Sequence, residues 1–340
     1  MRILVTGAAG FIGFHTTREL ISRGHVVVGL DSLNDYYDIK LKHARLNELK
    51  KLEDFEFAHL NLADRSATED FFGANEFDRV IHLAAQPGVR YSIENPHAYI
   101  ESNIVAFMNV LEGCRSIDCP HLVYASSSSV YGNTRTVPFE ESTSVNSPVS
   151  MYAATKISNE LMASVYSNLH GMATTGLRFF TVYGPWGRPD MAYWMFTESI
   201  LKDRPIKVFN EGQLRRDFTY IDDIVEGIIR LSEKPINFDT NIESKAQVFN
   251  IGNHSPVPLM EFIETLEETL GKKAVKTMLP MQPGDVLETY ADVSKLQKVV
   301  DFKPTTSLKV GLQKFSDWYL NTYQQKIDTP PSAIETAKVN

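Results

Sequence analysis

Cysteine is almost missing from this chain: Cys114 and Cys119 are the only 2 in 340 residues. That excludes a disulfide framework, and two thiols suit a reducing compartment. The 9 histidines show no ligand-like clustering, so with so few soft ligands no metal site is expected. No apolar run reaches the roughly 20 residues that a membrane-spanning helix needs. An excess of positive charge is lacking too: 34 basic against 42 acidic residues leave a net charge of −8. Such a chain is a poor binder of nucleic acid in bulk, so any arginine that meets a phosphate is a local exception. A leader peptide is not evident, because residues 2–6 already read as a strand and a glycine turn follows at once. The expectation is a cytoplasmic protein with neither nucleic-acid nor membrane partners. With 43% hydrophobic residues over this length, the chain can bury the core of one large or two fused domains.

What is present begins with Ile3-Leu4-Val5, an apolar run without polar alternation, as in a strand buried on both faces of a parallel sheet. Thr6-Gly7-Ala8-Ala9-Gly10-Phe11-Ile12-Gly13 follows, and then a helical pattern to Gly24. Residues 26–30 read as a second buried strand with Asp31 at its end. Gly7 permits the tight turn, Gly10 lets the backbone approach a pyrophosphate, and Gly13 lets helix and strand pack closely. The phosphates then meet the free N–H groups of the helix start. Asp31 accepts hydrogen bonds from an adenosine ribose and repels a 2′-phosphate, which favours NAD over NADP.

The rest of the first half repeats this rhythm. Residues 34–51 read as an exposed helix, starting with Asn34, beside the adenosine end of the cofactor. A third strand over 55–60 brings Asn61 and Leu62 to the adenine. A fourth strand over 79–83 ends in Leu83, Ala84, Ala85 and Gln86, small enough on average for a backbone to approach a ligand, and Arg90 is placed to pair with a phosphate. Residues 96–114 read as one long helix carrying Asn103. A fifth strand over 122–125 is followed by a serine run, Ser126 to Ser129. A helix over 151–169 and a sixth strand over 174–180, containing Phe179, complete the rhythm. Ligands of such open sheets lie at the carboxyl ends of the strands, so the glycine turn, the loop 84–90 and the serines converge on one edge.

After Thr181 the texture changes to a loop dense in Gly and Pro and to short elements without a clean βαβ rhythm. The fold expected is α/β: a Rossmann-type doubly wound parallel sheet with a smaller mixed α/β C-terminal substrate domain. The boundaries expected are 1–181 for the NAD-binding part and 182–324 mainly for the substrate part, with some chain returning to the first. Residues 325–340 read as a mobile tail.

Within the helix over 151–169, Tyr152 and Lys156 lie four apart and share a face. An ammonium that close lowers the pKa of a phenol, which suits Tyr152 to general acid/base work near neutral pH. Taken alone, such a pair is a common surface contact. Its company is what gives it weight.

Gly7-x-x-Gly10-x-x-Gly13, the serines before Val130-Tyr131-Gly132, and Tyr152-x-x-x-Lys156 together resemble the extended short-chain dehydrogenase/reductase family. The resemblance runs from residue 1 to about 323. Within that family, the stretches 31–37, 86–90 and 180–191 are similar to the UDP-glucuronate 4-epimerases among nucleotide-sugar 4-epimerases. The resemblance implies that Tyr152 is the acid/base, Lys156 its partner and a nicotinamide-ribose ligand, and Ser127 the hydroxyl on the sugar O4. It implies a structural asparagine at Asn103 beside the cofactor, and diphosphate or ribose contacts from Arg216 and Asp285. It implies tightly held NAD in its oxidised form, a transient 4-keto sugar, and a homodimer formed through helices 96–114 and 151–169.

Departures and absences sharpen this. Asn61 stands where relatives usually carry Asp, and Gln282 and Pro283 precede Gly284-Asp285 where an arginine is common. Thr181 stands where many relatives carry Asn. Ser128 and Ser129 replace the acids with which dehydratases and uronate decarboxylases of this family work. A 4-keto uronate is prone to lose CO₂, so its carboxylate must be held away from that alignment. Ser127, Ser128, Ser129, Thr181 and the nearby cation Arg188 are the candidates. Three readings stay open on these grounds: 4-epimerisation of UDP-glucuronate, 4-epimerisation of a neutral UDP-hexose, and a non-catalytic NAD-binding regulator.

Overall fold

Ile3, Leu4 and Val5 have no exposed surface, as a strand covered on both faces requires. They lie in β1 (Arg2–Thr6), which leads to α1 (Phe11–Ser22), β2 (Val26–Asp31), α2 (Ile39–Leu49), β3 (Phe55–His59), α3 (Arg65–Gly73) and β4 (Arg79–His82). Two single turns, α4 (Tyr91–Glu94) and α5 (Pro96–Tyr99), run through a π-helical stretch, Ile100–Val105, into α6 (Ala106–Ser116). Then come β5 (His121–Ser127), a tight turn Ser128–Tyr131, α7 (Met151–His170) and β6 (Ala173–Phe179). The second half holds β7 (Thr181–Tyr183), α8 (Ala192–Leu201), β8 (Ile206–Phe209), β9 (Arg215–Tyr220), α9 (Ile221–Glu233) and β10 (Ala246–Ile251). It continues with β11 (Pro256–Pro258), α10 (Leu259–Leu270), β12 (Lys276–Leu279), β13 (Glu288–Thr289), α11 (Ser294–Val300) and α12 (Leu308–Trp318). The structure, a computed structural model, describes residues 1–134, 136–234, 245–281 and 287–328.

Seven strands form one sheet in the order β10-β6-β5-β4-β1-β2-β3, and every pairing in it is parallel. The chain builds outward from β1 to β3, then returns to the other side of β1 with β4. That reversal opens a crevice at the carboxyl ends of β1 and β4, which is where such sheets take ligands. Alternate residues feed two cores: Ile3, Val5, Val27 and Ile81 face one side, and Leu4, Val28, Val80 and Leu122 the other. The first core runs on into the second half through Trp194, Phe218 and Phe315. In that half β9 is flanked by β11 and β13 and also pairs with β7.

The structure departs from the sequence reading in four places. Helix α2 starts at Ile39, not Asn34, because the Asp38 carboxylate caps it by accepting from the Lys40 N–H at 2.9 Å. It is not an exposed helix either, since Leu41, Lys42, Arg45, Leu46 and Leu49 are buried. The long helix expected over 96–114 contains a π-helical stretch. There the Asn103 carbonyl accepts from Asn159 Nδ2 of α7 at 2.6 Å, which draws it out of the regular ladder. Strand β5 reaches Ser127, so the serine run begins inside the strand. Finally, a π-helical stretch Tyr319–Ile327 extends α12 past residue 325, and residues 329–340 of the expected tail lie outside the described residues. Among the described residues no helix is long and apolar enough to cross a membrane.

Candidate active site

The cleft over the carboxyl edge of the sheet has three walls. The first is the turn after β1, with Gly7, Gly10, Phe11, Ile12 and Gly13. A side chain at Gly7 would meet the Ala84 N–H nitrogen at 2.8 Å, and one at Gly13 would lie 2.1 Å from the Gly7 carbonyl oxygen. These glycines therefore let the turn close upon β4 and upon α1. Helix α1 has no side-chain cap at Gly10, which leaves its first N–H groups for an anion.

The second wall is the adenosine end, with Asp31, Asn34, Asn61 and Leu62. The buried Asp31 carboxylate accepts from the Ala9 N–H at 3.1 Å and the Leu33 N–H at 2.8 Å. Those bonds aim it and leave lone pairs for a ribose. Open helix amides beside a fixed carboxylate are a donor and acceptor set that fits a dinucleotide lacking a 2′-phosphate.

The third wall holds Leu83, Ala84, Ala85, Ser127, Tyr152, Lys156 and Phe179. Ser150 caps α7 by accepting from the Ala153 N–H at 3.1 Å, which sets Tyr152 in the first turn. Burial raises the Tyr152 phenol above its ordinary value, against the weaker downward pull of the Ser127 side chain and the positive charge of Arg188, the reverse of the lowering expected from Lys156. Lys156, expected to lower that phenol, sits one turn further along α7. Its ammonium lies 6.0 Å from the Tyr152 ring centroid and donates to the Ala125 carbonyl at 2.9 Å. Burial lowers Lys156 to about 8, against the pull of Glu160. Arg188 is thus a charge acting on the Tyr152 phenol that helical spacing does not reveal.

Other expected residues lie around these walls. Gln86 and Asn103 are buried behind the third wall, where Asn103 accepts from the Gln86 N–H at 2.8 Å and donates to Thr155 Oγ1 at 3.1 Å. Ser129 donates its N–H to Ser127 Oγ at 3.1 Å, which folds Ser128 and Ser129 into the turn after β5. Thr181 is half-buried on β7, beside Phe218 of β9. Arg188 lines the cleft. Arg90 sits with its guanidinium 5.7 Å from the Phe209 ring centroid, across from the second half. Arg216 on β9 donates to the Arg215 and Leu287 carbonyls. Asp285, with Gln282, lies outside the described residues.

Sequence reasoning missed Tyr36, Tyr37 and Lys42, which also line the cleft. Lys42 donates to Asn34 Oδ1 at 2.5 Å. It also missed Arg45, although Leu41, Arg45 and Leu49 follow one another at helical spacing and put that arginine in the middle of an apolar stripe.

A doubly wound sheet, a glycine-turn nucleotide cleft and a Tyr-x-x-x-Lys pair facing a serine define a short-chain dehydrogenase/reductase site. The chain belongs to the NAD dependent epimerase/dehydratase family, which matches residues 3–252. It is 52% identical over 335 residues to Protein CapI of Staphylococcus aureus, covering 96% of this chain and 100% of that protein. It is 45% identical over 336 residues to a probable UDP-glucuronate 4-epimerase of Rhizobium meliloti, covering 96% of this chain and 98% of that protein. The crystal structure of UDP-glucuronic acid 4-epimerase from Bacillus cereus in complex with UDP-glucuronic acid and NAD is similar with a TM-score of 0.85. It is 35% identical and covers 94% of this chain and 98% of that chain.

Proposed function

We propose that this protein is a UDP-glucuronate 4-epimerase that keeps its NAD through the reaction. The observation that carries this reading is the meeting of Tyr152, Ser127 and Arg188 in one cleft, in a chain whose relatives include enzymes of that activity. When bound, NAD supplies reversible hydride acceptance at the sugar C4. Gly7, Gly10 and Gly13 with the start of α1 would hold its pyrophosphate, and Asp31 its adenosine ribose.

The protein's own part is proton handling and orientation. Tyr152 takes the O4 proton and, once the 4-keto sugar has turned its other face to the cofactor side of the cleft, returns it to the same oxygen, while Ser127 holds that oxygen. Lys156, bonded to Ala125, would hold the nicotinamide ribose and brings a positive charge to that wall of the cleft. Ser128, Ser129, Thr181 and Arg188 hold the C6 carboxylate of the uronate out of the alignment that favours loss of CO₂. Arg90 and Arg216 are assigned to the diphosphate, and Asp285 to the uridine ribose. The cofactor half ends at residue 181 and the nucleotide-sugar half occupies 182–324, with β10 returning to the main sheet.

We also assign a homodimer and a cytoplasmic setting. Leu161, Val165 and Leu169 recur every four residues on α7 and are exposed by 63%, 50% and 72%. With Met108 and Val105 on the preceding helical run, they form an apolar face that a second copy would cover.

The test is a proton NMR time course on purified protein without added cofactor, given UDP-glucuronate or UDP-glucose. Conversion of the uronate alone to its galacto epimer, with no pentose formed, is expected. Conversion of UDP-glucose instead moves the assignment to neutral sugars. No conversion of either, with NAD supplied, leaves the non-catalytic reading. Cell fractionation checks the location.

A further inference from the structure

Two stretches far apart in the chain meet beside Arg188. Tyr36 and Asp190 are 154 positions apart, yet the Tyr36 hydroxyl donates to Asp190 Oδ2 at 3.2 Å. Asp190 in turn takes Arg188 by two bonds, from Nε at 3.0 Å and from Nη2 at 2.6 Å. This bidentate pair engages one edge of the guanidinium and leaves Nη1 out of it. Arg188 and Tyr36 line the cleft, and Asp190 is not among its wall residues.

The loop before Arg188 is held as firmly. Arg45 has no exposed surface. Its Nη1 donates to the Ala9 carbonyl at 2.9 Å and to the Tyr37 hydroxyl at 2.7 Å. Its Nε and Nη2 donate to the Trp186 carbonyl at 3.1 and 2.6 Å, and Nη2 also to that of Gly187 at 2.8 Å. His15 of α1 meets the Pro185 carbonyl at 2.9 Å. Three successive carbonyls are therefore tied down just ahead of Arg188. Trp186 has φ +60, which is costly for a large side chain. The surrounding bonds hold it there, and Ala9 makes the anchor part of the glycine turn.

We propose that Asp190, itself held by Tyr36, is a positioning residue that fixes the Arg188 guanidinium for the sugar carboxylate, on a loop that Arg45 pins to the cofactor turn. The inference rests on the reading that Arg188 meets that carboxylate. A free arginine gives up side-chain entropy when it is ordered by a ligand. An arginine already clamped on one edge does not lose it again, and its planar fork is presented in one orientation. Asp190 also carries a like charge that opposes the incoming carboxylate. If repulsion outweighed orientation, removing that charge would tighten binding, so the sign of the effect decides.

The experiment is titration calorimetry on the NAD-loaded protein with UDP-glucuronate and with UDP, for Asp190→Asn, Tyr36→Phe and Arg188→Gln. Asp190→Asn is expected to weaken UDP-glucuronate about tenfold and Tyr36→Phe about threefold, the scale of a charge-assisted bond and a single neutral donor. UDP affinity is expected to stay within about twofold, because UDP has no sugar carboxylate to be oriented. Unchanged or tighter UDP-glucuronate binding in Asp190→Asn and Tyr36→Phe overturns the inference, as does an equal loss for UDP. Unchanged binding in Arg188→Gln removes the carboxylate role of Arg188 and this inference with it. A loss in Arg188→Gln alone removes only the inference.

Discussion

The Lys156 ammonium donates to the Ala125 carbonyl at 2.9 Å, which ties the first half of α7 to β5 two residues before Ser127. The helix that carries Tyr152 and the strand that carries Ser127 are thereby joined at the cleft floor. Tyr152 and Ser127, proposed as acid/base and oxygen holder, are thus held in one frame, and near-attack geometry depends on such stiffness.

Tyr152→Phe keeps the ring and loses the proton carrier. Its kcat is expected to fall about 10³-fold, within the range for a general acid/base. UDP-glucuronate affinity by calorimetry is expected to change by less than about threefold. A variant that epimerises as fast as the parent by NMR removes Tyr152 from the chemistry.

Two buried histidines make stability depend on pH. His82 and His121 are 4% and 1% exposed, and burial lowers them from 6.5 to about 3 and about 4. Below pH 6.5 the unfolded chain binds protons that the folded chain refuses, so the unfolded state gains. Their contribution is complete above pH 6.5 and is lost as pH falls from there toward about 3 for His82 and about 4 for His121. At pH 5 the loss is about 2 kcal/mol for each histidine. Urea midpoints at pH 7 and pH 5 measure it, and His82→Gln is expected to flatten the dependence. A parent midpoint that does not drop between these pH values contradicts the account.

Arg178 and Glu160 form a buried pair at 2.7 Å, with side chains 4% and 9% exposed. Glu160 also accepts from the Ser126 hydroxyl at 2.6 Å. Arg178→Met strands a buried carboxylate and is expected to cost about 3–5 kcal/mol. Adding Glu160→Leu removes the stranded charge, and most of the loss is expected to return. If the double variant unfolds at lower urea than the single one, the cost lies in packing and not in the unpaired charge.

The assigned homodimer is tested on α7. The parent is expected to sediment at twice the 38.4 kDa of one chain. Leu161→Glu with Val165→Glu places charge on the apolar face and is expected to sediment as one chain. A parent that is monomeric at working concentration removes the assignment.

The chain itself determined the parts whose chemistry demands fixed residue types at short spacing. Gly7, Gly10 and Gly13 are dictated within one turn, because a Cβ at Gly7 or Gly13 collides with neighbouring backbone. Tyr152 and Lys156 are dictated within one helical turn, and short apolar runs without polar alternation marked the buried strands of the sheet. Tertiary structure decided what depends on distant partners. Local composition indicated an exposed helix over 34–51, but only the fold put Arg45 against carbonyls 141 and 142 positions away. The pull of Arg188 on the Tyr152 phenol belongs to the same class. So does the π-helical stretch at Asn103, which answers to a side chain 56 positions on. Such contacts leave no period in the sequence, because the buried donors and charges that specify them find their partners only once the two halves have packed on one core.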